Sequence, residues 1–100
     1  MLIGTRVETP EMETLGKIDD FVIDSKEGHV VYFVLSDAGG MEERFAAAPF
    51  GALTRRGEAF VLNMTREQLL ADRGFRWEDM SDRSYAEEVY RHYGLRPYWE

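Results

Sequence analysis

Cysteine is absent from this chain of 100 residues, which excludes a disulfide framework, thiolate metal ligation and a cysteine nucleophile. Histidine occurs only at His29 and His92, far apart and without an acidic ligand at metal spacing, so neither a metal nor a cofactor is expected. Basic residues are outnumbered 12 to 19, and the resulting net charge of −7 opposes approach to nucleic-acid phosphates and anionic lipid. Long apolar runs are missing too. The longest has six residues against the ~20 needed to span a bilayer, and no basic start precedes an apolar stretch. A soluble, cytoplasmic protein is expected.

What the chain does contain is enough for one small core. A hundred residues typically bury somewhat over ~60% of their unfolded surface, and an aromatic content of 13% is that of a globular chain. The best-determined stretch is residues 15–36, which reads as two antiparallel strands joined by the tight loop Asp24-Ser25-Lys26-Glu27-Gly28. Its second strand, residues 30–35 (Val-Val-Tyr-Phe-Val-Leu), is apolar at every position, so both of its faces must be covered. In the first strand Leu15, Phe21 and Ile23 share one parity and Ile18 and Val22 the other. A bulge near Asp19-Asp20 would reconcile them.

Around this hairpin the remaining elements can be placed in order. Residues 2–8 read as a first strand ended by Pro10, and residues 42–48 as a strand of small residues around Phe45 that stops at Pro49. Residues 50–53 form a corner, Arg55-Arg56-Gly57-Glu58 a second hairpin loop, and residues 59–64 the last strand, with Phe60, Leu62 and Met64 facing inward. Thr65 and Gln68 have the spacing of a capping box and open a short helix. Beyond an aromatic, irregular stretch at residues 74–77, Ser81 or Asp82 can cap a helix over residues 83–93 that Gly94 closes. Tyr85, Val89 and Tyr93 fall at i, i+4 and i+8 on it, with Ala86 and Tyr90 beside them, a stripe that requires an apolar surface to lie on. The outer face of residues 30–35 is the candidate, in the same chain or in a second copy.

The sum is a mainly β chain: a small, partly open antiparallel β-barrel of five to six strands over residues 1–72, followed by a helical, aromatic arm over residues 73–100. The residues Leu2-Ile3-Gly4-Thr5-Arg6-Val7, the core of residues 15–24 with its Gly28 turn, the apolar strand of residues 30–35 and Phe45-Ala46-Ala47-Ala48-Pro49-Phe50-Gly51-Ala52-Leu53 together resemble the PRC-barrel family. The tail, residues 88–100 with Trp77 before it, resembles the ending of stand-alone bacterial members. The resemblance implies a fold shared with a domain of the photosynthetic reaction centre H subunit and with the C-terminal domain of the ribosome maturation factor. It further implies an adaptor that contacts other proteins and carries no catalytic residue set.

Candidate chemistry is correspondingly thin. Asp19-Asp20 and Glu42-Glu43 are adjacent strand residues that point to opposite faces, so neither pair makes a catalytic dyad. Lys26 stands at a ligand position of the one loop that faintly resembles a calcium site, and Gly39-Gly40 precedes a strand rather than a helix. The residues expected to act are those of contact: Tyr85, Val89, Tyr90, Tyr93, Tyr98 and Trp99 of the arm, with Tyr32 and Phe33 as receiving surface. They serve either intramolecular packing or the anchoring of a partner, and self-association as a dimer together with an unidentified protein partner is expected. The alternatives are a ribosome- or RNA-processing accessory role through a basic ribosomal protein and, further off, a small-molecule-binding barrel.

Overall fold

The computed structural model describes residues 3–41, 43–71 and 74–99, with Phe50 described in its backbone alone. Leu2, Glu42, Asp72 and Glu100, and the aromatic side chain of Phe50, lie outside the described residues. Among the described residues six strands form one sheet: β1 (Arg6–Glu8), β2 (Thr14–Asp24), β3 (His29–Ser36), β4 (Ala46–Pro49), β5 (Leu53–Arg56) and β6 (Ala59–Leu62), in the order β4-β3-β2-β1-β6-β5. Two helices follow, α1 (Arg66–Leu70) and α2 (Arg83–His92). Side chains from β1, β2, β3, β4, β6 and α1 converge on a single inner cluster built around Val7, Leu15, Ile18, Phe33, Leu35 and Leu62, so the sheet curls round its own core as a half-barrel.

The hairpin of β2 and β3 is the spine of the sheet, and its irregularities set which side chain goes where. Its register shifts between Ile18 and Asp20, leaving Asp19 as an extra, exposed residue, so the expected bulge is present. A second shift sets Val22 opposite Tyr32 but Ile23 opposite Val30, which makes Val31 the extra residue of β3. Beyond it the alternation is strict: Phe33 and Leu35 enter the inner cluster, while Tyr32 and Val34 join an outer one, as does Val31 itself. The turn is held by Asp24, whose Oδ1 accepts from the backbone N–H of Lys26 (3.1 Å) and of Glu27 (3.2 Å).

Some elements are shorter than the sequence pattern suggests. β1 begins only at Arg6, after a turn at Gly4, and β6 stops at Leu62, although half-buried Phe60 and Met64 still pack on the inner cluster beside Leu62. β4 is confined to Ala46–Pro49, and its proline sits inside an edge strand, where the missing N–H costs no ladder bond. One pairing departs from the antiparallel expectation: β1 runs parallel to β6, with Val7 opposite Phe60 and Glu8 opposite Val61. Local sequence gives no sign of it, because it joins strands from the two ends of the barrel segment.

Gly16 marks the tightest backbone approach. A Cβ there would lie 2.6 Å from the Ser36 carbonyl oxygen, and its φ of +151° is one that L residues rarely adopt. The capping box opens α1 as expected: the Thr65 hydroxyl accepts from Gln68 N–H (3.1 Å), and Gln68 Oε1 accepts from Thr65 N–H (2.9 Å).

Candidate functional site

The outer face of the hairpin is where the arm lies. Asp82 caps α2, its Oδ1 accepting from the N–H groups of Ser84 (2.9 Å) and Tyr85 (3.3 Å). Gly94, at φ +71°, ends the helix in a Schellman turn: its N–H donates to Arg91 O (3.0 Å) and Leu95 N–H to Tyr90 O (2.9 Å). Between these caps the buried stripe is Tyr85, Ala86, Val89 and Tyr90. It packs, in the same chain, on Val31, Tyr32 and Val34 of β3 and on Ala47 of β4. Ala46 and Ala48 turn inward while Ala47 turns outward, and the small side chain there lets the helix come close to the strand.

Polar tips of the aromatic residues fix the register of the arm. Tyr85 donates to Gly74 O (3.2 Å), Tyr93 to Ala47 O (2.9 Å), and Tyr90 to Val31 O at the bulge. Burial pushes the Tyr90 phenol above its ordinary pKa. Tyr32 is only 1% exposed and meets Phe75 and Tyr85 edge-on, with ring centroids 5.8 and 5.9 Å apart. Phe33 does not belong to this surface. It points to the inner cluster, where Phe21 meets it edge-on at 6.2 Å.

After Gly94 the chain doubles back to the hairpin tip and is clasped there. Tyr98 donates to Asp24 Oδ2 (2.9 Å) and stacks on His29, with centroids 4.1 Å apart and planes 12° from parallel. Trp99 meets Tyr90 at 5.3 Å and Tyr98 at 4.8 Å. The Arg83 guanidinium lies 4.5 Å from the Trp99 ring centroid and 3.8 Å from Asp24 Oδ2. The Tyr98 hydrogen bond is the main cause holding the Asp24 carboxyl below its ordinary value, followed by the backbone N–H of Glu27. Burial, then the hydrogen bond to Asp24, pushes Tyr98 up to about 12.

Beside the clasp runs an open groove of about 300 Å³ between the hairpin tip and the start of the arm. Val31, Tyr32 and Ala86 are among the residues that line it, with Ile23 on the hairpin side and Met80 and Arg83 on the arm side. Among the described residues no three His, Cys, Asp or Glu side chains come together as a metal site, and no helix is long and apolar enough to cross a membrane.

A family model for the PRC-barrel domain matches residues 1–69, more than two thirds of the chain. The chain belongs to the PRC-barrel domain family. No match was found among curated proteins. The PRC-barrel match ends inside α1, so α2 and the arm's side of both the clasp and the groove lie beyond the matched span, while Asp24 and His29 lie within it.

Within the PRC barrel itself, one polar cluster has no counterpart in the sequence reading. Glu8, whose side chain is 6% exposed, bonds Arg6 Nε (2.6 Å) and Arg56 Nη2 (3.3 Å). Arg56 also donates to Thr9 O (3.2 Å) and Pro10 O (3.0 Å), tying β5 to the end of β1. It is a structural strut, since two partly exposed guanidiniums satisfy one buried carboxylate. Of the residues expected to make contacts, Tyr32, Tyr85, Val89, Tyr90, Tyr93, Tyr98 and Trp99 are brought together on one face, and Phe33 is not. The groove-forming residues Ile23, Met80 and Arg83 were missed. Their only local signal is a large apolar residue set among charged ones, as Met80 is after Glu78-Asp79 and before Asp82-Arg83.

Proposed function

We propose that this PRC-barrel protein is a non-enzymatic adaptor that works through protein contacts, with the barrel and its arm forming one platform. The observation that carries the reading is that large apolar side chains remain in water after the arm has covered β3: Ile23, Met80 and Trp77 near the arm, and Ile3, Met12 and Met41 elsewhere among the described residues. Acidic side chains with close partners support it as well. Glu8 is paired with two arginines, Asp24 with Tyr98 and Arg83, and Asp79 and Asp82 accept backbone N–H bonds, so their chemistry is spent on structure. PRC-barrel domains are in general non-catalytic, which agrees. A cytoplasmic location belongs to the same reading.

A photo-activated cross-linking residue placed in turn at Ile3, Met12, Ile23 and Met80, in cells that make the protein, tests this. A discrete covalent adduct at one or more positions is expected. No adduct at any of the four would overturn the adaptor reading. An adduct at twice the mass of the chain would identify the partner as a second copy, the dimer expected from the aromatic arm. The net charge of −7 favours a second reading of the partner, a basic protein such as a ribosomal one, over nucleic acid itself.

A further inference from the structure

We infer that the groove between the hairpin tip and the arm is a docking site for a basic segment of another protein that carries one large apolar anchor. This rests on the adaptor reading and assigns it a surface and a partner chemistry.

Among the described residues six large apolar side chains are strongly exposed, and two of them meet at this groove. Ile23 (55% exposed) and Met80 (52%) line the groove from opposite sides. Trp77 (43%), three residues before Met80 in the 3-10 turn Trp77–Ser81, turns instead to Phe45 and Phe75, with ring centroids 5.8 and 5.0 Å away. The floor is apolar, made by Val31, Tyr32 and Ala86. A lip of exposed isoleucine and methionine over such a floor is the arrangement that receives an apolar anchor, and methionine adapts to more than one shape.

Charge selects the occupant. Asp24 and Asp82 line the groove, Glu27 stands at the hairpin tip, and Glu78 and Asp79 share the turn that carries Met80. Against these five carboxylates are Lys26, Arg76 and Arg83, and Arg83 already lies against Asp24 and over Trp99. A second copy of this chain is the poorer occupant. It brings another net charge of −7, and pairing the grooves about a two-fold axis sets two acidic rims together. A small ligand is poorly served as well, because a groove of about 300 Å³ sits at the low end of the range for such sites and this one is open.

The test is a selection of random twelve-residue peptides, displayed on phage, against the full-length chain, with enriched peptides then titrated by amide NMR shifts. The expected pool carries an excess of Arg and Lys around one Leu, Met or Phe. Its peptides shift Ile23, Ser25, Ser81 and Arg83, weaken several-fold between 50 and 300 mM salt, and lose at least about tenfold in affinity with Ile23→Ser/Met80→Ser. Both substituted side chains are exposed, and unchanged shifts elsewhere in that variant's spectrum establish that it folds. The matched control Met12→Ser alters the most exposed apolar residue away from the groove and is expected to bind as the parent does. Peptides that bind the double variant equally well, or that shift another face, would overturn the groove and leave the adaptor reading standing. A pool without basic excess, or no enrichment, would overturn the proposed partner chemistry. Shifts of the same amides on dilution of the chain alone would show a second copy in the groove and overturn it too.

Discussion

Tyr98 and Asp24 stand 74 residues apart in the chain and 2.9 Å apart in space, the phenol donating to the carboxylate at the tip of the central hairpin. The contact couples the end of the arm to the turn of the hairpin, because the same Asp24 also accepts the two N–H bonds that hold that turn. Neither half of the clasp is local, and each titrates out of its ordinary range.

The pH dependence follows from those two directions. Asp24 is held below its ordinary value of 3.8, so its stabilising contribution is complete above that pH and is lost as pH falls through the lower folded value. Tyr98 is raised from 10.0 to about 12, so its contribution is complete below pH 10 and disappears as pH rises through about 12. Carbon NMR of the tyrosine rings should show Tyr98 titrating near 12, above the ordinary phenol value of 10.0. Asp24→Asn should bring it part of the way back, burial keeping the remainder.

Tyr90→Phe removes the donor to Val31 O while keeping the ring. The carbonyl of a bulged residue is then left without its partner in a buried place, and a loss of about 1–3 kcal/mol in urea unfolding is expected, with little change in the denaturant slope. Tyr93→Phe, whose bond to Ala47 O is half-buried, should cost less.

Gly16→Ala should be among the most damaging single substitutions in the barrel. The unusual φ alone costs about 1–3 kcal/mol for a residue with a side chain, and the 2.6 Å approach to Ser36 O adds a displacement of β3. Thermal unfolding followed by circular dichroism would measure it. Gly4→Ala, where nothing lies within 4 Å of the added carbon, is the comparison and should cost less.

Deleting residues 77–100 uncovers Tyr32, Val34 and Ala47. Burying a side chain of valine size or larger is worth about 1.5–3 kcal/mol, so the shortened chain should unfold earlier, bind a hydrophobic dye, or associate. A truncated chain that keeps the parent's oligomeric state in solution and its melting temperature would show that the arm adds nothing to the barrel.

The parts of this architecture that could be read from the sequence are those fixed by neighbours in the chain. Six apolar residues in a row demanded cover on both faces, and the inner and outer clusters around β3 provide it. Thr65 with Gln68, Asp82, Gly94 and the Asp19 bulge are likewise local signals that became the expected structures. The parallel pairing of Val7 with Phe60, the Glu8 strut and the Asp24 clasp could not be read, since each joins residues whose own surroundings say nothing about the other. The aromatic arm showed an apolar stripe without an address. Only the fold places that stripe on β3 of the same chain, whereas the opposite facing of Tyr32 and Phe33 follows already from their adjacency in a strand.

The three residues of β1 are the seam between two separately connected pieces, the β2-β3-β4 meander on one side and the β5-β6 hairpin on the other. Each piece can form from contacts close along the chain, whereas the seam waits for a distant encounter between Val7 and Phe60. The slowest step in acquiring this structure is therefore expected to be the docking of a short N-terminal strand. A lesion at Val7 should lengthen the refolding time more than one of equal cost at the tip of either hairpin.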